Sequence, residues 1–398
     1  MTYVLLTPVS LPVSWPTMER CPTELWVKIA ALACTDGGYT GRSLSLVSRT
    51  MRDTVKFVRL YSVSLVGEDH LLAFSLLLSG LEPSPLIRHL FIELGTDDHA
   101  PYAPTLERAL ELQNAFNSIL IAAAPHLHTL FVQGGLGRFN PIGDSFEYPV
   151  LRDLSISQFC MRANQNTPPH IPFPSLRRLH ATTCLSLLDF WPNLVRLAPN
   201  VSHVRLSGVV QSLTICPFLH ILFANPTPSA APGDLGDGYR YPPESKEAAE
   251  ALIIALRLPG LKRIFLQSLK FQNSGWCETG AVVHSKMMLG LQKMARATAQ
   301  SEGPRRLFLL PDSLSYEHDE AHKHWLDLVE GGDGPWQEGL AEWGGDCPGH
   351  IQFADALPGG LSAKARRRHT LPASLPTSQS PTASPSVSTS QQRQCNSY

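Results

Sequence analysis

Apolar and polar residues follow two different periods along the chain, and the change of period separates two regions. Near the amino terminus, apolar residues recur every three or four positions, so that Leu25, Ile29 and Leu32 share one helical face. A glycine-rich turn follows at 34–41. Two more short stripes come next, formed by Leu44 and Val47 and by Met51 and Val55. This pattern predicts three small helices.

Beyond residue 80 the signature apolar-x-x-apolar-x-apolar recurs, and its last three positions alternate like a strand half buried against a core. It occurs seven times: Ile87, Leu90, Ile92; Leu127, Leu130, Val132; Leu151, Leu154, Ile156; Leu176, Leu179, Ala181; Val201, Val204, Leu206; Leu261, Ile264, Leu266; and, more weakly, Pro304, Leu307, Leu309. The middle positions are 40, 24, 25, 25, 60 and 43 residues apart. The three central spacings fit the roughly 20 to 29 residue period of leucine-rich repeats.

The longer spacings leave room for helices and loops. Helices are predicted from Leu106 to Ala123, from Ser245 to Leu258 and from Ala281 to Ala299, because apolar residues recur there with helical spacing. A proline- and glycine-rich run at 225–243 predicts a loop. The predicted fold class is therefore α/β, with each strand paired to a covering helix.

The two ends of the chain lack this patterning. Residues 1–20 contain no periodic apolar face and are expected to be a loose extension. Residues 358–398 form a serine, threonine and proline tract that cannot bury enough apolar surface to fold. The predicted organisation is an extension at 1–20, a helical module at 21–65, an irregular leucine-rich repeat solenoid at 66–357 and a disordered tail at 358–398.

Charge and cysteine usage narrow the partners and the compartment. With 33 basic and 34 acidic residues the formal net charge is -1, so no global field would recruit nucleic acid or an anionic membrane. The eight cysteines form no C-x-x-C pair, which favours thiols in a reducing compartment. The longest apolar runs, at 70–81 and 215–224, are shorter than the roughly 20 residues that cross a bilayer. A soluble cytoplasmic or nuclear protein is expected.

Known catalytic and metal motifs do not occur in the sequence. His318 and His322 have the spacing of a zinc-protease helix, but Asp319 stands where that motif requires glutamate. The segment is therefore predicted to be a solvated helix face. No nucleophile elbow, phosphate-binding loop or dinucleotide fingerprint is present, so neither catalysis nor a cofactor is expected. The basic run of Arg42, Arg49, Arg52, Lys56 and Arg59 is also typical of a solvated face.

Residues 21–65 resemble the F-box, and more closely the F-box-like modules of mushroom-forming (basidiomycete) fungi. The matching residues are Pro22, Glu24 and Leu25 of the P-x-E-L opening, Ile29, and the stretch LSLVSRTMR at 44–52. The irregular repeats and the closing HWLDLVEGGDGPW at 324–336 are also similar to that family. The resemblance implies a substrate receptor of an SCF-type ubiquitin ligase. In such a protein the helices bind a Skp-type adaptor, which links to a cullin, and the repeats hold the target protein.

Carried onto this chain, the resemblance assigns the adaptor contacts to Pro22, Leu25, Ile29, Leu44, Val47 and Met51. Short helices with apolar stripes on more than one side cannot bury everything alone, and an unburied remainder is an interface. The alternative is that the helices cap the open end of the repeat array. Both roles are compatible. A cap alone would leave a non-enzymatic leucine-rich repeat scaffold with no ubiquitin role.

The residues between the apolar strand positions are expected on the concave face of a curved sheet. They include four phenylalanines at equivalent positions and a central basic group: Phe91, Phe131, Phe265, Phe308, Arg178, His180, His203 and Arg205. Exposed aromatic residues beside a basic patch are typical of a protein-binding groove. The alternative is that individual phenylalanines turn inward. The hypothesis is a groove that holds the target protein.

Overall fold

The computed structural model describes residues 21–81, 85–94, 105–134, 146–157, 171–182, 187–209, 215–223, 258–269, 278–301, 303–313 and 316–336. The extension at 1–20, the loop at 225–243 and the tail at 358–398 lie outside these ranges, as does the helix predicted at 245–258 except for its last residue.

The fold is α/β, as predicted. The strands are β1 (Ser62–Val66), β2 (His89–Leu94), β3 (Thr129–Gly134), β4 (Asp153–Ser157), β5 (Arg178–Thr182), β6 (His203–Val209), β7 (Arg263–Leu269) and β8 (Arg306–Ser313). The helices are α1 (Thr23–Ala33), α2 (Tyr39–Val47), α3 (Arg49–Thr54), α4 (Glu68–Ser79), α5 (Leu106–Ala123), α6 (Leu187–Leu197), α7 (Ile215–Phe223), α8 (Glu278–Gln300) and α9 (His318–Val329). Short 3-10 helices span Ala124–His126 and Gly334–Trp336.

All eight strands are parallel and lie side by side in chain order. The strand register aligns the middle residues of the seven sequence repeats in one row: Leu90, Leu130, Leu154, Leu179, Val204, Ile264 and Leu307. Parallel strands need a crossover at every step. Among the described residues, helices lie in the connections from β1 to β3 and from β5 to β8. The seven predicted strands and their relative alignment are confirmed.

The first strand was missed. Leu60, Val63 and Leu65 carry the same apolar-x-x-apolar-x-apolar signature, but they fall inside the 21–65 range that the resemblance assigns to the helical module. In the structure, β1 pairs with β2 through Val63 and Leu90. The predicted end of the module at residue 65 was therefore wrong, because the last residues of that range belong to the sheet.

The main core lies between the sheet and the helices that connect its strands. Helix α5 buries Phe116, Ile119 and Leu120 against the sheet, and its bounds match the prediction. Helix α8 contains the predicted helix at 281–299 and contributes Met287 and Leu291 to the same core. Burying each large apolar side chain contributes about 2 kcal/mol. The second and fourth residues of each strand therefore face this core.

The helical module, here residues 21–61, has a small core of its own and closes the β1 edge of the sheet. The core consists of Ala30, Val55 and Val58 with partly buried neighbours. The backbone N–H of Ser64 donates to the carbonyl of Gly37 at 3.2 Å. Such a bond satisfies part of an edge strand that would otherwise be open. If the helices cap the open end of the sheet, they must contact the edge strand in this way.

Candidate protein-binding surfaces

The helical module keeps large apolar side chains in contact with solvent. Leu25 and Ile29 on α1 are 48% and 50% exposed, and Val47 at the end of α2 is 69% exposed. Leu32 and Leu46 are more exposed still, at 80% and 71%. Apolar groups at this density on one small module are typical of an interaction surface.

The six residues assigned to adaptor contacts divide into two groups. Pro22, Leu25, Ile29 and Val47 are exposed, whereas Leu44 and Met51 are only partly exposed and pack on the module core. Leu32 and Leu46 were not among the assigned residues. Leu32 continues the helical spacing of Leu25 and Ile29, and this signal could have identified it.

A second candidate surface is the inner face, defined here as the face of the sheet opposite the connecting helices. The register places a row of middle residues on it, one per strand: Ser64, Phe91, Phe131, Ser155, His180, Arg205, Phe265 and Phe308. Arg178 and His203 align with each other two positions earlier. The predicted groove residues therefore share one face of the sheet.

The inner face is covered by the chain itself. Residues 316–336, here called the cover segment, follow β8 and return across the sheet. His322 Nε2 lies 3.3 Å from the Ser64 hydroxyl on β1, and the Trp325 ring lies 5.7 Å from the Phe91 ring on β2. At the other end the Trp336 ring lies 5.9 Å from Phe265 on β7. The cover segment thus extends from the first strand to the seventh.

The expectation that the groove residues are exposed was wrong. Phe91, Phe131, Phe265, His180 and Arg205 are buried, and Phe308, Arg178 and His203 are partly buried. The segment at 318–322, predicted to be a solvated helix face, is solvated only in part, because Asp319 is exposed whereas Ala321 is buried. Trp325 and Leu328 pack on the inner face with the phenylalanines, while Asp319 and Lys323 point outward. The apolar spacing within 318–329 predicts this amphipathic helix, but not the surface to which it binds.

Local sequence explains why the cover segment folds as it does. Asp319 and Glu320 lie in the first turn of α9, where the helix dipole favours negative charge. After the helix, Gly334 has a φ of +55°, and a Cβ there would lie 2.5 Å from Leu328 Cγ. Only glycine fits this turn, which directs Trp336 back onto the sheet.

Arg205 is the polar centre of the covered face. Its guanidinium donates to the Pro335 carbonyl at 2.8 Å, to Gln267 Oε1 at 3.2 Å and to the Ser207 hydroxyl at 3.2 Å. It also lies 5.4 Å from the Tyr316 ring centre. Burial lowers the Arg205 pKa from its ordinary value. Two ends of the cover segment are thus held by one buried arginine.

His180 forms a second buried polar contact on the central strands. Its Nδ1 lies 3.1 Å from the Ser155 hydroxyl and its Nε2 lies 3.0 Å from the Ser207 hydroxyl. Burial, reinforced by Arg205, lowers the His180 pKa well below its ordinary value, so the imidazole is neutral at pH 7. A serine beside a histidine can act as a nucleophile, but this pair has no exposure to a substrate. Its geometry is that of a satisfied core network.

Ion pairs join the cover segment to both halves of the sheet. His318 pairs with Glu93 on β2, and Asp333 lies 3.9 Å from Arg178 on β5. Glu320 lies 3.7 Å from Arg205. Burial raises the pKa of Glu93, with the His318 charge acting in the opposite direction.

Within the described ranges, no group of three or more His, Cys, Asp or Glu side chains is placed to hold a metal ion. None of the helices in these ranges is both long enough and apolar enough to cross a bilayer.

Comparison with protein-family models, with curated proteins and with solved structures finds no match.

Proposed function

We propose that the chain is the substrate-recognition subunit of an SCF-type ubiquitin ligase, acting without catalysis of its own. In this proposal α1 to α3 form an F-box-like module that binds a Skp-type adaptor and, through it, a cullin. The remaining strands and helices form a leucine-rich repeat solenoid that holds a target protein. The compartment is the cytoplasm, the nucleus or both.

The observation that carries the proposal is the exposed apolar surface of the helical module. Leu25, Ile29 and Val47 are each about half exposed or more, although the module's apolar cluster contains only Ala30, Val55 and Val58 as buried members. Helices that leave this much apolar surface in water gain free energy by binding a partner, at roughly 25 cal/mol per Å² buried. The resemblance of residues 21–65 to the F-box implies a Skp-type adaptor as the partner.

The solenoid part of the proposal is supported by the correspondence between repeats and strands. Each sequence repeat contributes one strand, and the strands lie in chain order. The central spacings of 24, 25 and 25 residues match leucine-rich repeats, in which each unit contacts mainly its neighbours.

A second candidate function is a repeat scaffold without a ubiquitin role. It is favoured by the hydrogen bonds between the module and β1, including the Ser62 hydroxyl to the Cys34 carbonyl at 2.8 Å. Those bonds give the helices a structural task that needs no adaptor.

A pull-down of the full chain with a purified Skp-type adaptor separates the two. The test variant is Leu25→Asp with Val47→Asp, which places charge on the exposed stripe. Leu106→Asp is the matched control, because Leu106 on α5 is also 77% exposed but lies outside the module. Binding by wild type and control but not by the double variant supports the receptor. If the wild-type chain does not bind, the scaffold remains.

A further inference from the structure

We propose that the inner face is a binding site for an acidic amphipathic helix with an aromatic residue, and that a partner's helix replaces the cover segment that now occupies it. This inference deepens the target-binding half of the proposed function and does not depend on the adaptor half.

The cover segment is attached to the sheet in a way that permits release. The backbone hydrogen bonds of the sheet run from strand to strand and none of them, in the described ranges, includes the cover segment. The bonds to the sheet involve side chains, such as Arg205 to the Pro335 carbonyl and His322 to Ser64. The segment can therefore leave without breaking the strand ladder.

The contact leaves two buried donors of the cover segment without acceptors in the part of the chain that the structure describes. The indole N–H groups of Trp325 and Trp336 are buried, and neither has an acceptor among the described residues. Buried donors are normally satisfied, and an unsatisfied donor favours the open state, in which water can bind it. The cover segment therefore packs on the inner face without satisfying all of its own buried donors.

Charge indicates the chemistry of the replacing helix. The cover segment carries six carboxylates and one lysine. Two of the carboxylates, Glu320 and Asp333, lie near Arg205 and Arg178 of the central strands, and Arg178 also pairs with Asp153 on β4. The aromatic pairs on either side, Phe91 with Phe131 and Phe265 with Phe308, accept the Trp325 and Trp336 rings. A partner helix would need a similar combination of acidic and aromatic residues.

The test measures binding of a fluorescein-labelled peptide with the sequence of residues 316–336 to the full chain, by fluorescence anisotropy. Three full chains are compared: wild type, Trp325→Ala and Lys323→Ala. Trp325 is fully buried on the inner face, whereas Lys323 is exposed on the outer side of the same helix. Hydrogen exchange of β4 to β6 in each chain reports whether the sheet remains folded.

The Trp325→Ala chain should bind the peptide at least about tenfold more tightly than wild type, because apparent affinity scales with the fraction of open molecules. Lys323→Ala should behave like wild type. Binding should weaken as salt is raised, and a peptide carrying Trp325→Ala should not bind.

Three results would overturn the proposal. The first is an intact sheet in Trp325→Ala with no peptide binding, and the second is equal binding to all three chains. The third is loss of strand protection together with α9, which would make the cover segment an inseparable part of the fold. Adaptor binding, measured on the same samples, should not differ among them, so failure of the adaptor model does not obscure the outcome.

Discussion

The helical module and the inner face differ in what they do with large apolar side chains. The module exposes Leu25, Ile29 and Val47 around a core of three residues. The inner face has the larger aromatic residues, yet Phe91 and Phe131 are fully buried under the cover segment. Both regions carry apolar residues that the main core does not bury. Such residues therefore indicate a contact surface, and only the tertiary structure shows whether the chain already occupies it.

The largest expected effect is that of Phe131→Ala on the inner face. Removing a fully buried ring should lower the free energy of unfolding by about 3 to 5 kcal/mol, from lost burial and the cavity left behind. Urea unfolding followed by circular dichroism measures it. Phe131→Leu is the control and should cost about 1 kcal/mol because it nearly conserves volume. A loss below 1 kcal/mol in Phe131→Ala would mean that the inner face is open in solution.

Arg205→Met should give the next largest loss, about 2 to 4 kcal/mol, because the Pro335 carbonyl and Gln267 Oε1 would lose a buried charged donor. Equilibrium unfolding with tryptophan fluorescence reports on Trp325 and Trp336 among others. Arg49→Met, on an exposed arginine of the module, should change little. If both substitutions lowered the free energy of unfolding equally, the arginine of the inner face would be no more important for stability than the exposed arginine of the module.

Acidification should weaken the sheet region through its histidines. Burial, followed by the charges of His128 and Arg88, lowers the His89 pKa to about 4. The unfolded chain binds this proton near 6.5, so it takes up more protons than the native state as the pH falls from 7 to 5, and stability falls with it. The contribution of His89 alone is about 2 kcal/mol. His180 acts in the same direction.

Unfolding midpoints at pH 7 and pH 5 measure this loss, and His89→Gln should reduce the difference between them. The pKa values of Glu93 and Glu320 are raised, chiefly by burial, so protonation of these groups favours the native state and offsets part of the loss near pH 5. If wild type and His89→Gln lose the same stability between pH 7 and pH 5, His89 is not buried in solution.

The smallest expected effect on stability is that of Leu46→Ala in the module. Its side chain is 71% exposed, and the free energy of unfolding should change by less than about 0.5 kcal/mol. The same unfolding assay measures it beside Phe131→Ala. A loss above 1 kcal/mol would mean that the module surface is already covered by another part of the chain.

The sequence was sufficient for much of the fold because its repeats are local patterns. The row from Leu90 to Leu307 was aligned correctly, and α5 was bounded correctly, since period and spacing depend only on nearby residues. The strand β1 was missed although Leu60, Val63 and Leu65 fit the pattern, because the range had been assigned to the helical module.

The candidate site was harder to predict because its key contacts join distant parts of the chain. The bond from Arg205 to Pro335 spans 130 residues, and the contact of Ser64 with His322 spans 258. Periodicity predicts which face of α9 is apolar, but it does not predict which surface that face meets. The groove residues were therefore placed on the right face and given the wrong exposure.

The contacts of the cover segment at both ends of the sheet limit how many strands can lie between them. In a repeat array each unit contacts only its neighbours, and stability is roughly a sum of unit and neighbour terms. Here one segment contacts Ser64 on β1 and Phe265 on β7 at fixed positions along its own length. An inserted or deleted unit between them would move one of these contacts by a strand spacing of about 4.8 Å. While the cover segment lies on the sheet, its contacts with β1 and β7 therefore fit only the present number of strands between them.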